Sequence, residues 1–459
     1  MEDQQEQQEQ KFREMTQAPV GRLVGRLAFP CIISMLVTAF YNMADTFFVG
    51  MMDSNAATGA VGVVFSMMAI IQAVGFFFGH GSGNFISREL GKHNLEEASN
   101  MAATGFFSAL AAGALICLAG QIFLTPLASL LGSTETILPY AREYLRVILL
   151  GAPWMTASLV LNNQLRFQGS AAYAMVGITS GAVLNIGLDP LLIFVFDMGV
   201  AGAAWATIIS QFLSFCLLLA GCARGGNLRI RISRFQCKWS YFRMIIRGGL
   251  PSLARQGLAS VATICLNQAA GPFGDAAIAA MGIVQRITTF GASAMIGFGQ
   301  GFQPVCGFNY GARLYSRVKQ GFSFCVKTST VFLLIVGVLG FVFAPELVAL
   351  FRDDPDVVAC GAAALRFQCV TFFFQSWIVM SNMMLQTIGR TGPATFLAMA
   401  RQGIFFVPLV WILTALLGMP GLQMSQAVSD ACTLACAIPI QLRVLRQMSA
   451  MPEATLPSA

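Results

Sequence analysis

Long apolar runs dominate this sequence and limit the chain to one class of fold. Stretches of about 20 mostly apolar residues follow one another, separated by short polar breaks such as LGKHN and LGSTET. A helix of about 20 apolar residues crosses the roughly 30 Å core of a bilayer. The sequence therefore predicts an all-α integral membrane protein with about 12 transmembrane helices, near residues 27–50, 58–81, 101–123, 142–163, 170–196, 200–221, 245–269, 277–301, 321–343, 361–385, 393–416 and 421–442.

The composition argues against several classes of protein. Only 11% of the residues are charged, whereas a soluble domain carries about 25%. The 12 cysteines contain no C-x-x-C pair and fall mostly inside apolar runs, so we interpret them as small buried residues. No nucleophile–base pair or metal motif occurs within the predicted spans. We therefore expect neither an enzyme nor a bound cofactor.

The basic residues indicate how the chain is oriented in the membrane. With the N-terminus inside, 21 of the 28 lysines and arginines fall in the N-terminal segment and in cytoplasmic loops or span ends. Such an excess is typical of the cytoplasmic side, and it also explains the net charge of +7 without a nucleic-acid partner. The sequence predicts a multi-pass protein of the plasma (inner) membrane with both termini in the cytoplasm.

The longest polar stretch between spans divides the chain into two halves of six spans each. We expect a disordered N-terminal tail, an N-lobe, a cytoplasmic linker, a C-lobe and a C-terminal tail, at residues 1–22, 23–222, 223–244, 245–446 and 447–459.

The two halves align at one nearly constant separation along the chain, which indicates an internal duplication. The matched residues share this spacing, and they include Gly79 with Gly299, Asn162 with Asn382, Gly169 with Gly389, and Gly202 with Gly421. Because each half holds an even number of spans, both copies insert the same way up. We predict two six-helix lobes related by a pseudo-two-fold axis along the membrane normal, as in many transporters.

Three acids lie well inside predicted spans: Asp45, Asp189 and Asp430. A charge at mid-helix costs about 2.5–3.5 kcal/mol on insertion scales, so such residues are candidates for function. Asp45 and Asp189 are predicted at depths of roughly 8 and 10 Å, with Asn185 one helical turn from Asp189 and Thr207 at a similar depth. Hard oxygen ligands suit Na⁺, and paired carboxylates suit a proton. The alternative is a carboxyl group that stays protonated and serves only as a buried hydrogen-bond donor.

The ordered motifs of both halves resemble the MATE (multidrug and toxic compound extrusion) transporters, bacterial branch. The resemblance rests on FPCIISMLVTAFYNMADTFFVG, GSGNFISRELGKHN, LRFQGSAAYAM, LQTIGRTGPATF and LNIGLDPLLIF. It implies a cation- or proton-coupling site at Asp45, Asn185, Asp189 and Thr207, with H⁺ or Na⁺ as the coupling ion. Spans seven and ten lack the acids that another branch carries, so coupling is expected in the N-lobe alone. Asp430 has no partner acid in the C-lobe, so efflux is expected to be largely kept when Asp430 is replaced by asparagine.

The resemblance implies export of amphipathic, often cationic, small molecules by a monomer that contacts membrane lipid. The 23 methionines and 38 phenylalanines supply adaptable apolar surface for such substrates. Polar groups inside spans that are candidates to line the substrate cavity are Tyr41, Asn42, Gln256 and Gln285. Hydrogen bonds between neighbouring helices are an equally good explanation for them.

Two other functions stay open at this point. One is a flippase for lipid-linked precursors of the same superfamily, which would need a cationic cavity that only Arg255, Arg286 and Arg401 are placed to supply. The other is a channel or a non-transporting membrane protein, which would require neither the duplication nor the one-sided carboxylates.

Overall fold

The computed structural model describes residues 2–51 and 55–454, and this part of the chain is helical, with loops and turns but no strand. The helices of the first half are α1 Glu2–Gln17, α2 Val20–Gly50, α3 Asn55–Gly91, α4 Leu95–Ile122, α5 Leu124–Leu130, α6 Leu138–Phe167, α7 Ala171–Pro190 and α8 Gly199–Cys222. Those of the second half are α9 Trp239–Ala270, α10 Asp275–Gly311, α11 Tyr315–Val342, α12 Ala344–Ala349, α13 Pro355–Thr371, α14 Phe374–Thr387, α15 Thr391–Met399, α16 Phe406–Leu417 and α17 Met419–Ser449.

Each of the twelve predicted spans falls on one long helix or on one interrupted helix. Among the described residues, nine helical segments are long and apolar enough to cross a membrane, and the bent pair α13–α14 makes a tenth. The helices α9 and α10 have 32 and 37 residues, which is ample length, but neither contains a stretch as apolar as those in the other nine. The prediction of an all-α membrane protein is confirmed.

The tenth span contains a bend that the sequence did not indicate. Its two helices, α13 and α14, meet at an angle of 59°. The fifth and eleventh spans are interrupted by π-helical turns, at Leu191–Val195 and Ala400–Ile404. Such turns insert an extra residue into a helix and are found often at functional sites.

The predicted duplication is visible in pairs of equivalent hydrogen bonds. The Asn162 side-chain nitrogen donates to the carbonyl oxygen of Ala174 at 3.5 Å, and that of Asn382 donates to Ala394 at 2.6 Å. The two donors are separated along the chain by the same interval as the two acceptors. Each half therefore uses the same amide to join its fourth span to its fifth.

A pair of equivalent glycines sets the packing of the last two spans in each half. A Cβ on Gly202 of α8 would lie 2.7 Å from the Leu192 backbone carbonyl, and one on Gly421 of α17 would lie 1.9 Å from that of Leu413. Real Cβ atoms essentially never come so close. Only glycine permits this approach of two backbones, which explains why the sixth and twelfth spans share it.

The chain separates into two compact units whose boundaries fall inside helices. The first unit contains Met1–Ala18 and Ile33–Gly249, and the second contains Pro19–Ile32 and Leu250–Ala459. The predicted lobes begin at residues 23 and 245, so the beginnings of α2 and α9 lie in the units opposite to those expected. Glycine contacts explain both placements: Gly301 of α10 packs on the Ala28 backbone, and Gly81 of α3 on that of Ile245.

The two terminal segments differ from their description as tails. Residues 1–22 were expected to be disordered, yet α1 forms there and its Lys11 ammonium donates to Ser170 and Asn227, each at 2.8 Å. These buried partners lie 159 and 216 residues further along the chain, so a local pattern gave no sign of them. At the other end α17 continues to Ser449. Residues 455–459 of the predicted C-terminal tail lie outside the described residues.

Candidate functional site

Four helices of the first unit bring a cluster of polar side chains together, which we call the acidic cluster. It consists of Tyr41 and Asp45 on α2, Tyr144 on α6, Asn185 and Asp189 on α7, and Thr207 on α8. The carboxylates interact electrostatically with one another and with both tyrosine hydroxyls, and each tyrosine lies beside the Thr207 hydroxyl. Residues from four separate spans therefore meet in one place.

Asn185 fixes the position of Asp189 within this cluster. With its amide nitrogen turned toward the carboxylate, Asn185 donates to Asp189 Oδ2 at 3.0 Å and accepts from the Thr207 backbone N–H at 3.2 Å. The Thr207 hydroxyl donates in turn to the Ala203 carbonyl at 3.0 Å. All three side chains are buried. The predicted one-turn spacing of Asn185 and Asp189 is thus used for a hydrogen bond along one face of α7.

Each carboxylate of the acidic cluster has one oxygen atom that takes part in no hydrogen bond between described residues. Oδ1 of Asp45 and Oδ1 of Asp189 are both buried, and neither accepts a hydrogen bond from any described residue. Buried polar atoms are usually paired, and exceptions call for an explanation such as a bound ion or proton. The acidic cluster therefore has the chemistry of a cation- or proton-binding site.

The backbone changes its winding directly after Asp189. Pro190 ends the regular helix, and the π-helical turn Leu191–Val195 follows. Proline lacks the N–H that would complete the preceding helical turn. The wider turn and the close approach of Gly202 both adjust how α7 meets α8 near the carboxylate.

Two tyrosines of the acidic cluster differ from the expectations drawn from the sequence. Tyr41 was considered for the substrate cavity, but it lies beside Thr207 and interacts with Asp45. Tyr144 was not singled out at all, although its hydroxyl belongs to the same cluster. The residue aligned with Tyr144 in the second half is Ala364, and that difference between the halves was a readable signal. Asn42, the neighbour of Tyr41, is exposed.

The second unit contains a cavity of about 340 Å³, which we call the arginine cavity. Gln256 on α9 and Gln285 on α10, two of the side chains considered for substrate binding, line it. The Gln285 amide donates to the Thr263 hydroxyl at 3.2 Å, so it also makes the alternative bond between helices. Arg255 and Arg401 supply the charged groups of the wall.

Asp430 has a charged partner that the sequence did not reveal. Arg401, in the π-helical turn Ala400–Ile404, donates from Nε to Asp430 Oδ1 at 2.8 Å. Gln426 donates to the same oxygen at 2.9 Å and Gln375 to the other at 3.4 Å. Asp430 is therefore the buried half of an ion pair.

The comparison with known families gives a direct result. The family model described as MatE matches residues 30–191 and 251–412, once in each half. The chain belongs to the MatE family. The resemblance predicted from the sequence is thereby confirmed, and so is the expectation of a transporter rather than an enzyme.

Relatives of this MatE protein cover almost its whole length. The multidrug export protein MepA of Staphylococcus aureus (strain MSSA476) is 26% identical over 427 residues, which are 93% of this chain and 94% of that protein. A crystal structure of MATE in complex with MaL6 has a TM-score of 0.90 at 25% identity, covering 95% of this chain and 99% of that one. An outward-facing multidrug resistance MATE family transporter has a TM-score of 0.89 at 26% identity, covering 96% and 98%.

Proposed function

We propose that this MatE protein is a secondary active antiporter that exports amphipathic, often cationic, compounds by alternating access. The observation that carries the proposal is the acidic cluster, in which Asp45 and Asp189 each have a buried oxygen that accepts no hydrogen bond from a described residue. Support comes from the relatives that are named multidrug export proteins. An inward flow of H⁺ or Na⁺ supplies the energy, at about 2.3 kcal/mol for each charge that moves through 100 mV.

The acidic cluster suits such coupling because two nearby carboxylates repel one another when both are ionised. Uptake of one cation relieves the repulsion, and release of that cation restores it. Of the two ions we expect H⁺, because the repulsion between the two carboxylates favours protonation of one of them.

The remaining parts of the proposal concern the setting of the protein. Both termini lie in the cytoplasm, because most lysines and arginines fall on that side of the predicted topology. The protein works as a monomer surrounded by lipid in the inner membrane. Coupling takes place in the first unit alone, because among the described residues of the second unit the one deeply placed acid, Asp430, is held by Arg401.

The test is dye efflux from proteoliposomes, with a pH gradient and an Na⁺ gradient imposed separately. We expect the pH gradient to drive efflux of rhodamine B ethyl ester, a permanent cation. Asp45→Asn and Asp189→Asn should each lower the gradient-driven rate at least 100-fold while the protein still inserts. The double variant should be no worse than either single one, because the two residues act as a unit.

Asp197→Asn is the matched control. Asp189 precedes the π-helical turn Leu191–Val195, and Asp197 follows it. Asp197 is exposed, and its φ of 51° is a backbone conformation that asparagine also tolerates. Its replacement should leave efflux unchanged. Wild-type efflux from Asp45→Asn protein would show that this carboxyl group is only a buried hydrogen-bonding group, and the proposal would be wrong.

A further inference from the structure

The arginine cavity contains a positive charge that the protein does not balance. Arg255 and Arg401 lie in its wall, and Asp430 pairs with Arg401 alone. Among the described residues, no carboxylate forms an ion pair with Arg255; its contact is the Asn382 amide oxygen, at 3.5 Å from Nη1. Two guanidinium groups and one carboxylate leave a formal charge of +1 at the cavity.

The position of Arg255 makes this charge costly. Arg255 lies near the middle of the 32-residue helix α9, about 24 and 22 Å from its two ends along the axis. An arginine side chain is too short to reach the membrane surface from there. Charged residues in transmembrane segments usually face water or a partner and mark a functional pathway. For Arg255 that place is the arginine cavity.

The rest of the cavity wall fits a ligand that has both a polar and an apolar part. Six glutamines line it, together with apolar side chains such as Met281, Ile378 and Phe406. The side-chain oxygen of one of these glutamines, Gln402, is buried without a hydrogen-bond partner among the described residues. The volume of about 340 Å³ is at the lower end of the range for small-molecule sites, about 300–1,000 Å³.

The arginine cavity and the acidic cluster do not occupy equivalent positions in the duplication. The residue of the first half that aligns with Arg401 is Gly181, and the one that aligns with Arg255, counted from the matched prolines Pro30 and Pro251, is Ser34. The two π-helical turns are likewise offset, since one follows Asp189 and the other contains Arg401. The two sites therefore use different positions of the repeated half, and they differ in the sign of their charge.

We infer that the arginine cavity binds the anionic group of an amphipathic substrate, a carboxylate held by the Arg255 guanidinium beside the Arg401–Asp430 pair. An arginine fork matches a carboxylate with two parallel hydrogen bonds. The glutamine amides supply further donors, and the apolar side chains cover the attached ring or chain. The inference rests on the proposed transport function and names a substrate class for it, namely amphipathic acids and zwitterions.

The experiment compares two probes that differ in a single group. Rhodamine B carries a free carboxylate, and rhodamine B ethyl ester has the same ring system without that charge. Their binding is measured at equilibrium by fluorescence polarisation, with the full-length protein in phosphatidylcholine nanodiscs and no ion gradient. We expect rhodamine B to bind about tenfold more tightly than its ester, as for a hydrogen-bonded charge. Arg255→Gln should reduce that ratio to about one, and Arg255→Lys should keep part of it.

Two controls keep the result interpretable. Binding of the ester with at least the wild-type affinity shows that Arg255→Gln protein is folded, because loss of the arginine charge removes repulsion of this cationic probe. Arg286→Gln should retain the preference for the acid, because Arg286 is exposed on α10. Equal binding of both probes to the wild type, or an undiminished preference in Arg255→Gln, would overturn the inference. Neither result depends on coupling, so a failure of the proposed antiport would be seen separately.

Phosphatidylglycerol in the nanodiscs separates a solute from a lipid headgroup as the source of the anion. Unaltered rhodamine B binding in its presence would support a soluble substrate. Displacement of rhodamine B that disappears in Arg255→Gln protein would give the site to the lipid phosphate, and the assignment to a substrate carboxylate would then be wrong.

Discussion

The ion pair between Arg401 and Asp430 gives the sharpest prediction about stability. Asp430→Asn removes the negative charge that pairs with the guanidinium of Arg401 and puts a neutral amide in its place. The Arg401 side chain is 25% exposed and the Asp430 side chain 3%, so water can solvate the arginine charge only in part. We expect the variant to insert normally but to unfold more easily than the wild type.

The size of the effect follows from the geometry. Two unit charges 2.8 Å apart interact by about 6 kcal/mol at an effective dielectric constant of about 20. Desolvation offsets much of this in the intact pair, yet removal of one partner from a buried pair costs about 3–5 kcal/mol. Because a quarter of the Arg401 side chain is exposed, we expect about 2–3 kcal/mol. For a chain of 459 residues, that corresponds to a fall in apparent Tm of about 2–3 °C.

A double-mutant cycle in detergent measures the coupling between the two side chains. Asp430→Asn, Arg401→Gln and the double variant are compared by thermal unfolding, with Glu346→Gln, an exposed acid on α12, as the matched control. The double variant should be more stable than the sum of the single effects predicts. Additive effects, or an unchanged Tm in Asp430→Asn, would refute the argument from the ion pair.

Rhodamine B ethyl ester efflux per folded molecule should stay above half of the wild-type rate in Asp430→Asn. A loss as complete as that of Asp45→Asn would place coupling in the second unit as well.

Two further predictions concern packing and pH. Gly421→Ala should lower the Tm by several degrees, because its Cβ would overlap a backbone carbonyl of α16. Gly392→Ala is the control, since open space surrounds that position and the Tm should stay the same or rise. Equal Tm values for the two variants would contradict the close approach of Gly421 to α16. Burial lowers the pKa of Lys11 from 10.5 to about 8. Docking of α1 therefore costs free energy at neutral pH, where Lys11 must be buried with its charge. This cost disappears as the pH rises from 8 toward 10.5 and the lysine loses its proton. A spin label on α1 should become less mobile as the pH rises from about 7.5 to about 9.5. Lys11→Gln removes the charge near Ser170 and Asn227 and should abolish this pH dependence. If the pH dependence persists in Lys11→Gln, another group causes it.

The sequence by itself determined the class of fold and the location of the spans. Apolar runs of about 20 residues have one stable form in a bilayer, so their order along the chain gives the helices without knowledge of their packing. The constant spacing between matched residues revealed the duplication because both halves keep side chains for the same local contacts, such as the hydrogen bonds of Asn162 and Asn382. The spacing of Asn185 and Asp189 also gave a correct local geometry, because four residues make about one helical turn.

Only the tertiary structure decided which polar groups meet. Tyr144 reaches the acidic cluster from α6, far along the chain from Asp45, and Asp430 on α17 finds Arg401 beyond the intervening helix α16. Neither pairing leaves a pattern in the sequence, since each depends on how one helix is rotated against another. The bend between α13 and α14, the π-helical turns and the docking of α1 are likewise responses to neighbouring helices. The physical reason is that the bilayer specifies that an apolar segment crosses it as a helix, whereas side-chain packing specifies which face of that helix meets which partner.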